Sequence, residues 1–159
     1  MLMANIVLVR IDERLLHGQI RITWGKYSGA NTIIVANDEI ASNPVLQAPF
    51  KGAAGGEYVV LFRTIEHLIS SIHKADERRR ILILCKNPTD VARLVKGGVK
   101  FGEVNVGNMH HHPGRVQIDK NVSVSVNDIE AFKIIKKNGI ESYIQHMPES
   151  SRKNIFDCV

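Results

Sequence analysis

The sequence predicts an α/β domain: a central, mainly parallel β-sheet flanked by helices on both faces, with residues 1–159 forming a single domain. Two observations carry this. Four short apolar runs recur along the chain, Ile6–Val9, Ile33–Ala36, Val59–Phe62 and Ile81–Cys85, each rich in β-branched side chains and none alternating with polar residues. A strand covered on both faces has that pattern, because neither of its sides meets water. Helical periodicity then fills the gaps between runs, and alternating strands and helices build a parallel sheet.

The elements follow in order. The first strand ends near Val9 or Arg10. Asp38-Glu39, after the second run, begins a helix, where acids complement the dipole. Thr64 is placed to cap the next helix, in which Ile65, Leu68, Ile69 and Ile72 share one face. Asn87-Pro88-Thr89-Asp90 supplies a cap, a proline at the first helical position and an acid in the first turn. Val91, Leu94 and Val95 form that helix's apolar face, and Gly97-Gly98 ends it. Val104 and Val106, then Val122, Val124 and Val126, alternate with polar residues, which predicts strands with one wetter face. Between them, Asn108 to Asn121 reads as a loop plus a short hairpin, with a turn at Pro113-Gly114. Asn127-Asp128-Ile129-Glu130 resembles a capping box, followed by Ile129, Phe132 and Ile135 and stopped by Asn138-Gly139.

Bulk composition narrows the function. No apolar run approaches the roughly 18 residues of a membrane span. Met1 to Asn5 lacks the basic start, apolar stretch and cleavage site of a signal peptide, so a cytoplasmic location is expected. Cys85 and Cys158 make neither a disulfide framework nor a zinc pattern, and Cys85 reads as a small buried hydrophobe. The net charge of +5 suits an anionic partner or substrate, and suits equally a mildly basic surface.

Ligands of open α/β sheets bind beyond the carboxyl ends of the strands. The first such position holds Arg10-Ile11-Asp12-Glu13-Arg14-Leu15-Leu16-His17-Gly18-Gln19, with two arginines, two acids and a histidine in ten residues. A neutral imidazole is a good nucleophile toward phosphorus. Arginine offers a planar fork of donors to phosphate oxygens. Gly18 lets the backbone approach beside His17. Arg14 and His17, three apart, share a side if the segment makes one helical turn. Arg10 has to reach across from the strand end. Read as residues alone, the segment is either a phosphoryl-transfer loop or a solvated salt-bridge cluster. A nucleotide- or nucleic-acid-binding module of similar fold also fits the charge.

The segment resembles the active-site loop of enzyme IIB components of the mannose/fructose/sorbose family in the phosphoenolpyruvate:sugar phosphotransferase system. Ala36-Asn37-Asp38-Glu39, Cys85-Lys86-Asn87-Pro88, Val95 to Val99, Asn105-Val106-Gly107-Asn108-Met109, Val122 to Val126 and Gln145-His146-Met147-Pro148 extend the resemblance down nearly the whole chain. Gly29 to Glu39 is similar to N-acetylgalactosamine or galactosamine members. The resemblance implies that His17 carries the phosphoryl group through Nδ1, with Arg10 and Arg14 on the phosphate and Asp12 orienting an arginine or the imidazole. Gly18, Gln19 and Asn108 would be neighbours in or beside the loop. The implied donor is a IIA protein or domain, and the implied acceptor is a sugar presented by membrane components IIC and IID. No cofactor, metal or nucleic acid is implied, and the protein would visit the inner face of the membrane only through its partners. A degenerate relative that binds IIA without transfer is disfavoured by the intact Arg10, Arg14 and His17.

Other motifs read more plainly. His110-His111-His112 is expected to be a polar loop, since adjacent histidines point apart and no supporting ligand stands nearby. Glu77 to Arg80 reads as a solvated turn, because no aromatic residues interleave with the basic ones. Gly52 to Gly56 precedes a strand and matches neither the dinucleotide fingerprint nor the P-loop. Trp24 reads as core or interface.

Overall fold

The computed structural model describes residues 4–159; the part of the N-terminal reading that concerns residues 1–3 lies outside it. Nine strands are present among the described residues: β1 (Ile6–Asp12), β2 (Thr32–Ala36), β3 (Val59–Arg63), β4 (Ile81–Cys85), β5 (Glu103–Asn108), β6 (Val116–Asp119), β7 (Val122–Val124), β8 (Glu141–Ile144) and β9 (Lys153–Asn154). Seven of them form one sheet in the order β3-β2-β4-β1-β5-β8-β9, parallel except for β9. The helices are α1 (Gly18–Ile22), α2 (Trp24–Ser28), α3 (Asp38–Ala41), α4 (Ala48–Ala53), α5 (Ile65–Ser71), α6 (Pro88–Lys96) and α7 (Val126–Lys137). The expected α/β architecture is the one observed.

Side-chain alternation divides the core in two. Ile33 and Val35 of β2 and Leu82 and Leu84 of β4 pack with Leu15, Leu16, Ile20 and Trp24 on the α1–α2 face. Ile34, Ile81, Ile83 and Cys85 point the other way, onto Leu68 of α5, Leu94 of α6 and Phe132 of α7. Every residue of β2 and β4 is buried as a result. That double burial is why these runs are apolar throughout, and each large side chain so buried contributes about 1.5–3 kcal/mol. Cys85 is buried as expected, and burial pushes its thiol up out of the reactive range.

The helix caps expected from sequence are in place. Thr64 and Asn87 each accept a backbone N–H through the side chain, and Asn37, not singled out as a cap, does the same for α3. Asp38 does more than complement a dipole: its Oδ1 accepts from Ile65 N at 2.8 Å, tying α3 to the start of α5. Gly52 ends within α4, and the glycines after it turn the chain into β3. The Glu77–Arg80 segment is a turn before β4, with Arg78 paired to Asp76.

Four expectations need correction. β5 and β7 have no wetter face, because Asn105 and Ser123, the polar residues between their valines, are buried as well. β1 runs on to Asp12, because Ile11 is fully buried and the ladder to β5 continues through it. The last long helix starts one residue before Asn127: Ser125 is its cap, in a reciprocal box with Asp128. Val126, read as a strand position, is therefore the first helical residue and is exposed. The hairpin of β6 and β7 turns at Lys120-Asn121, while Pro113-Gly114 makes an earlier turn closed by Arg115 N to His112 O.

Candidate active site

The site is assembled by strand parity. Val9 and Ile11 face α5–α7, so Arg10 and Asp12 face α1 and α2. The β1–β5 ladder pairs Arg10 with Asn105 and Asp12 with Asn108, with a slip between Ile11 and Asp12. The slip lets two asparagines three residues apart meet two residues only two apart. Arg10 Nη1 donates to Asn105 Oδ1, and Asn108 Nδ2 donates to Asp12 Oδ2 at 3.0 Å.

Asp12 organises the loop that follows. Its side chain has no exposed surface, yet three donors converge on it. Asn108 is one; Arg14 N donates to Oδ1 at 2.9 Å; and His17 Nε2 lies 3.1 Å from Oδ2. Burial pushes the carboxyl up, but hydrogen bonds from His17, Arg14 and Asn108 outweigh it and hold Asp12 below the ordinary carboxylate range. An ionised carboxylate only accepts, so the hydrogen of this contact sits on His17 Nε2, and in the neutral imidazole Nδ1 is then the nitrogen that carries the lone pair.

The loop does not make the helical turn expected for Arg14 and His17. Leu15 adopts φ 57°, a left-handed conformation that a leucine enters at a cost of about 1–2 kcal/mol. Leu15 N bonds Asp12 O at 2.9 Å, closing a turn. Leu15 and Leu16 are both buried in the α1–α2 core, which offsets the strain and pins the loop. His17 is then the N-cap of α1, in extended conformation, with no side-chain bond to that helix. The imidazole is thus free of capping and remains partly exposed.

The two arginines are placed differently. Arg14 is about half exposed, with Nε 3.9 Å from Asp12 Oδ1 and Nη2 donating to Gln19 Oε1 at 3.3 Å. Arg10 is 2% exposed and lies 4.7 Å from the Trp24 ring centroid. Its guanidinium donates to Gln145 O at 3.0 Å and His146 O at 3.3 Å, besides Asn105. Burial lowers its pKa to about 10, so it stays charged at neutral pH. Trp24, read as core or interface, is buried in the core, and its Nε1 donates to the same His146 carbonyl at 3.1 Å. At Gly107, an added Cβ would strike the Arg10 guanidinium. At Gly18 it would meet nothing, leaving open space beside His17.

Glu13, Asn105, Arg115, Gln145 and His146 were not singled out as site residues from sequence. Gln145 braces the β8 loop through Pro148 O and Ser150 O. Arg115 is nearly buried between Glu13 of the loop and Asp128 at the start of α7, with Arg115 Nε 3.2 Å from Asp128 Oδ2. The polar Asn105 inside β5 and Gln145 just beyond β8, both buried, are a legible signal. Arg115 has none, since its partners are 102 residues upstream and 13 downstream in the chain. The three adjacent histidines turn to different neighbours: His110 to Glu13, His111 to Ser123 and His112 to Pro113 O.

Residues 6–159 match the family model for the PTS system sorbose subfamily IIB component, and the chain belongs to that family. It is 46% identical to the N-acetylgalactosamine-specific phosphotransferase enzyme IIB component 2 of Escherichia coli, over 97% of this chain and 98% of that one. It is 37% identical to the mannose-specific EIIAB component of E. coli over 96% of this chain, spanning 47% of that longer protein. The crystal structure of the E. coli N-acetylgalactosamine-specific IIB component 1 superposes with a TM-score of 0.91 at 37% identity, over 94% of this chain and 98% of that one. The chain is thus a sugar-specific IIB component, a phosphotransferase of sugar uptake, as the sequence resemblance implies. Among the described residues, no helix is long and apolar enough to cross a membrane.

Proposed function

We propose that His17 accepts a phosphoryl group on Nδ1 from a phosphohistidine of a IIA protein or domain and passes it to a sugar hydroxyl presented by membrane components IIC and IID. The contact between Asp12 and His17 carries this reading. With Nε2–H given to Asp12, the Nδ1 lone pair attacks phosphorus, and the electron pair of the breaking P–N bond returns to the donor's nitrogen. The imidazole gains positive charge as the new bond forms, and the Asp12 carboxylate stabilises it. In the second step the sugar oxygen attacks phosphorus, its proton goes to a base on the acceptor side, and His17 is regenerated.

Arg14, exposed beside His17, binds the phosphoryl oxygens directly. Arg10 acts from below, as buried positive charge and as a brace for the β8 loop. Gly18 and Gln19 leave room for the group, and Asn108 holds Asp12 in place. No cofactor or metal takes part. The protein works in the cytoplasm and meets the membrane only through its partners. The EIIAB relative, whose name joins a IIA to a IIB, supports the IIA donor, and the IIB relatives named for N-acetylgalactosamine favour an amino sugar of that type.

The test uses phosphoenolpyruvate, enzyme I, the phosphocarrier HPr and the cognate IIA. The protein gains one acid-labile, base-stable phosphate, and His17→Ala gains none. Label that persists in His17→Ala moves the site elsewhere.

A further inference from the structure

On the face of the sheet away from α1, a cavity of about 170 Å³ lies between α5 and strands β2 and β3. Its floor is aliphatic, with Ile34, Leu61 and Ile72 among the lining residues. Beside the hydroxyls of Thr32 and Ser71, its polar lining is basic, Arg63, His67, Lys74 and Arg79, with no carboxylate. Arg79 Nη1 donates to the buried Thr32 Oγ1 at 3.2 Å, which sets that guanidinium against the cavity wall. Among the described residues, Arg63, Lys74 and Arg79 form no ion pair. The Asp76 carboxylate, near Arg79 in the chain, is already held by Arg78 at 2.7 Å.

Three permanent positive charges around one concave, half-apolar space repel one another, and an anion seated among them relieves that repulsion. The aliphatic floor asks for more than a bare ion. The volume equals roughly five or six waters at ~30 Å³ each, room for a short body and one head group. We propose that this cavity binds a small organic anion, with a phosphate or carboxylate head on a short aliphatic body. The arginine fork fits either head. The site is separated from His17 by the sheet and does not depend on the transfer reading.

The test is methyl NMR of the full chain, titrated with butyl phosphate and with pentanoate, beside 1-butanol and inorganic phosphate. The expected result is a saturable shift of the Leu61, Leu68 and Ile72 methyls with at least one of the two organic anions, at a Kd of about 1 mM or below. Both controls bind at least about tenfold more weakly. Arg79→Gln and the exposed-rim variant Lys74→Gln each weaken binding about tenfold while leaving the spectrum folded. His17→Ala leaves binding unchanged, which keeps this proposal separate from phosphoryl transfer. Absence of saturation with both anions, equal binding of either control, or indifference to both rim variants overturns it.

Discussion

His17 Nε2 lies 3.1 Å from Oδ2 of the fully buried Asp12, and under the proposed transfer this contact occupies Nε2 and leaves Nδ1 as the attacking nitrogen. Asp12→Asn removes the obligate acceptor and lets the ring adopt either tautomer. The phosphorylation rate by phospho-IIA is expected to fall on the order of 10²- to 10⁴-fold. Nitrogen NMR of His17 shows Nε2 protonated in the parent protein and mixed tautomers in the variant. An unchanged tautomer and rate would remove Asp12 from the mechanism.

The same carboxylate gives a pH dependence with a definite sign. Asp12 is held below its ordinary range in the folded state, so the unfolded chain takes up the proton first as pH falls. Its stabilisation is therefore complete above the unfolded value of about 3.9 and is lost as pH drops through the lower folded value. Urea unfolding at pH 6 and at pH 3 is expected to show the parent losing more stability between the two than Asp12→Asn. Parallel losses would contradict this.

Gly107 and Arg10 share one space. Gly107→Ala forces the buried guanidinium off the Trp24 ring and is expected to destabilise the fold by about 1–3 kcal/mol. Trp24 is the chain's single tryptophan, so its fluorescence reports the displacement directly. A variant with unaltered emission and urea midpoint would show that Arg10 relocates freely.

Arg115 couples the loop to α7. Arg115→Met strands Glu13 and Asp128 together and is expected to cost about 3 kcal/mol. Glu13→Gln relieves part of that loss, so the double mutant is less destabilised than the sum, with a coupling of about 0.5–3 kcal/mol. Simple additivity in a double-mutant cycle would deny the link.

Much of this molecule is legible in its sequence because burial imposes local patterns. The runs at Ile33–Ala36 and Ile81–Cys85 are apolar because both faces of β2 and β4 are covered, and Asn87-Pro88 caps α6 as its residue types require. His17, Arg14 and Asp12 sit together because the end of β1 and the loop directly after it carry them. What stayed hidden depends on long-range pairing. The slip between Ile11 and Asp12 that aligns Asn105 and Asn108 is a property of two strands together, and no local pattern reports it. Leu15 at φ 57° contradicts its own preference and holds only because its side chain is buried. Arg10, expected at the phosphate, is instead enclosed by Asn105, Gln145 and Trp24, contacts from segments far along the chain.

The most direct measurement is nitrogen–phosphorus correlation NMR on the protein labelled at histidine nitrogen and phosphorylated through the full phosphoenolpyruvate relay. Nδ1 of His17 is predicted to show the single phosphorus coupling, with Nε2 still protonated toward Asp12. Coupling to Nε2, or to any other histidine, would contradict the assignment.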